Sequence, residues 1–144
     1  MKHIVLGEKQ KDKKYDFRET CFGLYSMDGK VLVTYDKKYN QYTFIGGGID
    51  EGESKSDTLK REFLEEVGIT IKNIKQFITI DCYWLANGDY PMESLANFYL
   101  IDIESYLDID KEGNYEFIDI NELDLPLPYQ RKALELYKEY LKII

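Results

Sequence analysis

The sequence predicts a mixed α/β fold, a sheet covered by helices on both faces. Three observations carry this. Short apolar runs with strand character recur along the chain, one helix-like segment interrupts them near the middle, and a second amphipathic segment ends the chain. With 144 residues, 44% hydrophobic and 32% charged, the chain is expected to form one domain, 1–144, with a core of its own.

Each element has a local reason. Phe17 to Ser26 reads as a strand, and Asp28-Gly29 as a hairpin turn whose positive φ glycine tolerates. Val31 to Tyr35 returns from that turn, and Tyr42 to Ile45 is a short strand leading into a glycine loop, Gly46-Gly47-Gly48. Ser54 to Val67 reads as a helix, with Ser54 and Asp57 as a capping pair and Gly68 as its left-handed stop. Strands are expected at Ile74 to Trp84, Ala96 to Ile103 and near Tyr115 to Ile120, with a turn-rich loop at Asn87 to Pro91. Pro126 and Pro128 precede the final helix, about Tyr129 to Lys142. Lys9 to Lys14 reads as a solvated loop or hairpin tip.

Composition narrows the function. The net charge of −8 lacks the basic footprint of a nucleic-acid polymer binder and argues against such a partner. A small anionic substrate remains compatible, provided cations stand between carboxylates and phosphates. No apolar run is long enough for a membrane span, and the segment Met1 to Gly7 is too short for a signal peptide, so a cytoplasmic protein with no membrane partner is expected. Cys21 and Cys82 read as buried reduced thiols. His3, the single histidine, falls at an N-terminus expected to fray, which argues against a histidine base or a zinc–histidine centre.

The densest signal runs from Gly47 to Ile69. At helical geometry Glu62, Glu65 and Glu66 share an arc of roughly 100°, beside a stripe of Leu59, Phe63 and Val67. The helix therefore buries one stripe and turns three carboxylates toward a cleft. Carboxylates so close repel unless a cation joins them, and oxygen-only ligation favours Mg²⁺ or Mn²⁺. Arg61 lies within reach of Glu53 and Glu65 and can orient carboxylates with its forked donors. The glycines let backbone approach a metal or phosphate closely and can present a carbonyl ligand.

Gly47, Glu53, Arg61-Glu62 and Glu65-Glu66-Val67-Gly68-Ile69 together resemble a complete Nudix box, the signature of the Nudix (MutT-like) hydrolases, and the surrounding element order is similar as well. The resemblance implies an α/β/α sandwich that hydrolyses nucleoside diphosphates linked to another group, using Mg²⁺ or Mn²⁺. It implies Glu62, Glu65 and Glu66 as metal ligands, with Glu66 central and Glu62 able instead to orient or deprotonate water. It implies Glu53 and Arg61 as the supporting ion pair and Gly46 as a main-chain carbonyl ligand. Ile45 stands where proline is frequent, and Phe63 replaces an aliphatic residue and asks for a roomier core pocket.

A further carboxylate outside the box is expected at Glu112 or Glu116, before the strand Phe117 to Ile120, with a surface-loop role as the rival. Arg18 could reach a phosphate, the alternative being an ion pair with Glu19. Gly47 and Gly48 join these as substrate-side candidates. Among 13 tyrosines and one tryptophan, Tyr35, Tyr39, Tyr83, Trp84 and Tyr90 are candidates for base stacking. The expected substrate is a small nucleotide such as a nucleoside triphosphate. The alternatives are a dinucleoside polyphosphate, a nucleotide sugar or a capped RNA end, and a non-catalytic sensor of the same fold. Oligomeric state stays open, a homodimer included.

Overall fold

The computed structural model describes residues 2–144; Met1, the first residue of the N-terminal segment read above, lies outside them. In chain order the elements are β1 (Lys2–Leu6), β2 (Asp16–Leu24), β3 (Ser26–Met27), β4 (Lys30–Asp36), β5 (Gln41–Thr43), β6 (Ile45–Gly48), α1 (Lys55–Val67), β7 (Ile69–Ala86), β8 (Tyr90–Tyr106), β9 (Tyr115–Asp119) and α2 (Pro128–Ile143). A five-stranded mixed sheet runs β1-β7-β8-β2-β6, with β1–β7 and β2–β8 parallel and the other pairs antiparallel. A smaller antiparallel sheet forms around β4, which pairs with β3, β5 and β9.

Strand alternation sorts apolar side chains onto two faces. On β2, Cys21 turns one way and Phe22 and Leu24 the other; on β8, Tyr99 opposes Phe98; on β4, Leu32 opposes Val31 and Val33. The face bearing Cys21 and Tyr99 receives Leu59, Phe63 and Val67 of α1. The face bearing Phe22 and Phe98 receives Tyr129, Ala133, Leu134 and Tyr137 of α2. Each fully buried aliphatic or aromatic side chain contributes about 1.5–3 kcal/mol, so the stripe spaced by four residues on α1 suffices to hold that helix down. Cys21 and Cys82 are buried free thiols, pushed by burial up to about 12 and about 11.

The α1 caps match the expectation. Ser54 Oγ accepts the Asp57 N–H at 3.1 Å, and Gly68 is left-handed at φ 69°. Asp28 and Gly29 both have positive φ, as a tight hairpin needs. Several expectations need correction. The N-terminus does not fray at His3, which sits in β1, paired in parallel with β7. The triple-glycine segment is not a loop, because Gly46 to Gly48 extend along β2 as strand β6. The strand expected from Tyr42 to Ile45 is divided at Phe44 between the two sheets. Glu116 lies inside β9 rather than before it, while β7 and β8 exceed their expected lengths and Pro91 already belongs to β8. Phe63 finds its room opposite Gly23, where a Cβ would come within 2.6 Å of the ring.

Candidate active site

β6 lies at the edge of the large sheet and runs past the carboxylate face of α1. Glycine is required at Gly46 by proximity, since a Cβ there would stand 1.9 Å from the Cys21 carbonyl oxygen. The Gly46 N–H donates to Glu66 Oε2 at 3.2 Å. At Gly47 a Cβ would meet Glu62 Oε1 at 2.7 Å, and at Gly48 it would meet Arg18 Nη2 at 3.2 Å.

Arg61 organises the acids. Its Nε and Nη2 donate to Glu53 Oε2 and Oε1 at 2.7 and 3.0 Å, a two-pronged grip. Nη1 reaches Glu62 Oε1 at 2.9 Å and Glu65 Oε2 at 3.3 Å, and Nη2 also donates to the Gly48 carbonyl at 3.1 Å. Asp50 Oδ2 stands 3.3 Å away. Glu53 is further satisfied by the Asp50 N–H at 3.0 Å and the Thr58 hydroxyl at 2.9 Å. The hydrogen bond from Arg61, followed by that from the Asp50 amide, holds the Glu53 carboxyl down to about 2. The same carboxylates raise the Arg61 guanidinium above its ordinary value.

Glu62 and Glu66 have the opposite environment. Burial raises the Glu62 carboxyl, against the pull of Arg61. Burial pushes Glu66 up to about 8, with the negative charges of Glu62 and Glu112 adding to it and the Gly46 amide opposing. Glu65 is half-exposed. Among the described residues Glu66 has no basic ion-pair partner.

Among the described residues the acids do not converge on one ligation point: Arg61 Nη1 draws Glu62 and Glu65 while Glu66 turns to Gly46. The donor chemistry nevertheless fits a hard dication. All the donors are oxygens, and the Glu66 carboxylate is buried beside like charges that a cation would balance.

The loop between β8 and β9 brings Glu112 to the cluster. The Glu112 N–H donates to the Glu65 carbonyl at 2.9 Å, and the Gly113 N–H to the Glu66 carbonyl at 2.8 Å. Glu116 Oε1 accepts the Tyr42 hydroxyl at 3.2 Å. Glu112, Glu116 and Glu66 line a cleft of about 830 Å³, rimmed by Lys37, Lys38 and Lys111.

A second cleft, of about 520 Å³, also reaches Glu66 and is lined by Arg18, Gly46 and Gly47. Arg18 makes no ion pair with Glu19, which instead meets Lys55 at 3.8 Å and accepts from Asn97 Nδ2 at 3.0 Å. Of the candidate aromatics, Tyr39 and Trp84 line this second cleft. Tyr35 lines the first. Tyr83 packs edge-on against Tyr15, and the Tyr90 hydroxyl donates to Asp16 at 2.9 Å. Sequence reasoning missed Thr20, Tyr129 and Gln130, which complete the wall from β2 and α2. No local spacing marks them, because the contact joining Gln130 to Phe44 spans 86 residues.

Known proteins share this fold. The solved MutT NUDIX hydrolase of Burkholderia pseudomallei superposes with a TM-score of 0.67 at 23% identity, over 83% of this chain and 97% of that one. A NUDIX hydrolase from Nitrosomonas europaea gives 0.69 at 17%, over 90% and 96%. At such identities the likeness establishes the fold. The RNA pyrophosphohydrolase of Sulfurovum sp. (strain NBC37-1) is 29% identical over 108 residues, 66% of this chain and 69% of that protein. The RNA pyrophosphohydrolase of Vibrio cholerae is 44% identical over 55 residues, 37% of this chain, and the chain spans only 31% of that relative's length. The NUDIX domain model matches residues 18–140. This match takes in nearly every element that builds the carboxylate site, and the chain belongs to the NUDIX hydrolases.

Proposed function

We propose that this protein is a pyrophosphohydrolase that uses Mg²⁺ or Mn²⁺ to cleave a diphosphate bond in a small nucleotide. The observation that carries this reading is the place of Glu66, buried beside Glu62 and Glu112, against the Gly46 backbone and at the meeting of two clefts.

Glu65, Glu66 and the Gly46 carbonyl would hold the metal, with Glu62 beside them as the base. Bound there, the ion supplies charge neutralisation on the diphosphate and acidifies water. The protein's own groups do the rest. Arg61, fixed by Glu53, orients Glu62 through Oε1 and leaves Oε2 as the atom that accepts a proton from the attacking water. Arg18 steadies a phosphate beside Gly48, and Glu112 adds a carboxylate from the loop side. Glu116, tied to Tyr42, shapes the wall.

A second reading, release of pyrophosphate from an RNA 5′ end, is favoured by the 830 Å³ cleft with its three lysines, which leaves room for a larger substrate beside Glu66. The relatives named RNA pyrophosphohydrolase lend it support.

The test is a panel of nucleoside triphosphates, dinucleoside polyphosphates and 5′-triphosphorylated oligoribonucleotides, each with Mg²⁺, Mn²⁺ or EDTA, with Glu66→Gln as control. Metal-dependent phosphoanhydride cleavage that vanishes in the variant supports the proposal, and the preferred member of the panel separates the two readings. No turnover of any substrate, or turnover unaffected by EDTA, overturns it.

A further inference from the structure

Asp81, on β7, stands apart from the carboxylate site and holds an oxygen that nothing satisfies. Its Oδ1 is shielded from water and has no hydrogen-bond partner among the described residues, a rare condition for a polar atom. The strand register shows what it faces. Asp81 lies opposite Leu95 and Tyr83 opposite Glu93, so the Asp81 and Glu93 side chains are diagonal neighbours on one face of β7 and β8. No helix covers this end of the face: Val5, opposite Asp81, is 62% exposed, and Phe17, opposite Glu93, is 56% exposed. Two carboxylates placed so set acceptor against acceptor. The nearby cations do not resolve this, because His3 on β1 and Lys9 in the loop after it form no ion pair with Asp81 among the described residues. Glu19, further along on β2, is already engaged with Lys55 and Asn97. The Tyr83 hydroxyl meets Glu93, and Tyr15 reaches the pair only through the Tyr83 ring.

We propose that Asp81 and Glu93 share one proton and so form a clasp across β7 and β8, closed while the proton is held and opened by its loss. Carried on Asp81, the proton turns one acceptor into a donor and gives the orphaned carboxyl its partner. Burial, and then the Glu93 carboxylate, push the Asp81 carboxyl up to about 6, against the opposing charges of His3 and Lys9. A carboxyl raised in the fold from its ordinary 3.8 contributes stability that is fully present below 3.8 and is lost as pH rises through 6. The clasp backs onto the smaller cleft. Trp84 and Ser94 directly follow Tyr83 and Glu93 and point to the opposite face, where the indole N–H donates to Ser94 Oγ at 2.9 Å and both residues line the cleft. Release of the proton therefore loosens the two strands that hold Trp84 in place.

The test compares the metal-free full chain with Asp81→Asn, which sets a permanent donor opposite Glu93. Thermal melts are run from pH 4.5 to pH 7.5; Glu66 titrates in both proteins and cancels in the difference. The two are expected to melt together at pH 4.5, and the variant on the order of 3 °C or more above wild type at pH 7.5. Trp84, the single tryptophan, is expected to shift its emission with a midpoint near pH 6 in wild type and to stay unmoved over that range in Asp81→Asn. Glu93→Gln presents a donor to the Asp81 carboxylate, so its midpoint should fall below that of wild type; it carries the test should Asp81→Asn fail to fold by circular dichroism. A Tm gap that does not change with pH, an emission that titrates alike in wild type and Asp81→Asn, or a midpoint unmoved in Glu93→Gln overturns the clasp. In a Glu66→Gln background, stabilisation by Ca²⁺ at pH 7.5 that Asp81→Asn abolishes would place a cation rather than a proton between the two acids, and overturns it as well.

Discussion

Arg61 grips Glu53 through two parallel hydrogen bonds, 2.7 Å from Nε to Oε2 and 3.0 Å from Nη2 to Oε1, and spends its remaining Nη1 donor on Glu62 and Glu65. One guanidinium thus aligns carboxylates on both sides of it. Lysine cannot reproduce a planar fork. Arg61→Lys is expected to lower kcat/KM by about 10–100-fold, chiefly in kcat, with the fold retained; kinetics beside circular dichroism check this, and near-normal kcat would contradict the positioning role.

The same pair sets an acid limb of stability. Glu53 is held down to about 2, well below its ordinary 4.5. A depressed carboxyl stabilises the fold above the unfolded value, and that contribution is lost as pH falls from 4.5 toward 2. Thermal melts of wild type and Glu53→Gln are expected to differ most near neutral pH and to converge toward pH 2; a constant gap across the series would contradict the assignment.

Glu66 works with the opposite sign. Its carboxyl, pushed up to about 8 by burial, stays protonated in the metal-free fold while it is ionised in the unfolded chain, so stability falls as pH rises from 4.5 to 8. Glu66→Gln removes that burden. Metal-free at pH 8 it is expected to melt on the order of 3 °C or more above wild type. Added Mn²⁺ should raise the Tm of wild type and leave the variant unmoved. Turnover should fall by about 10³-fold or more. A variant stabilised by Mn²⁺ as strongly as wild type would remove Glu66 from the ligand set.

Phe63 and Gly23 share one space. Gly23→Ala places a Cβ within 2.6 Å of the ring and is expected to cost about 1–3 kcal/mol. Phe63→Leu leaves a cavity and is expected to cost about 1–2 kcal/mol. The double variant should be more stable than the sum of the two losses implies, by about 1 kcal/mol or more. Denaturant unfolding of the four proteins measures this, and strict additivity would refute the coupling.

Gly46→Ala is the severe case at the site. Its Cβ would collide with a backbone oxygen 1.9 Å away, which no rotamer can relieve, so β6 must shift away from β2. The expected loss is about 3 kcal/mol or more together with most activity. Melting and turnover assays on the variant check it, and a fully active, equally stable protein would contradict the close approach.

Much of this site was legible because its information is local. Ser54, Gly68 and the four-residue spacing of Leu59, Phe63 and Val67 define the 13 residues of α1 locally, and the carboxylates follow from their place on it. What escaped depends on distant partners. β1 is only five residues long and most of it is exposed, so its strand state comes from parallel pairing with β7. Three glycines have little strand preference of their own, and β6 exists because β2 lies alongside. The strand before the expected Ile74 was hidden by irregular register between Thr70 and Ile78, where Asn73 takes a positive φ. Gln130 looks like an ordinary polar helix residue until the fold sets Phe44 against it.

Glu65 and Glu66 occupy the last turn of α1, the negative pole of the helix, where no basic side chain accompanies them. Acids are disfavoured at that pole. The amides of Glu112 and Gly113 meet the terminal carbonyls directly below those side chains and blunt the pole they create. A loop some forty-five residues downstream thus makes an adverse location tolerable, and lengthening or shortening that loop would alter the electrostatics under the carboxylates without touching them.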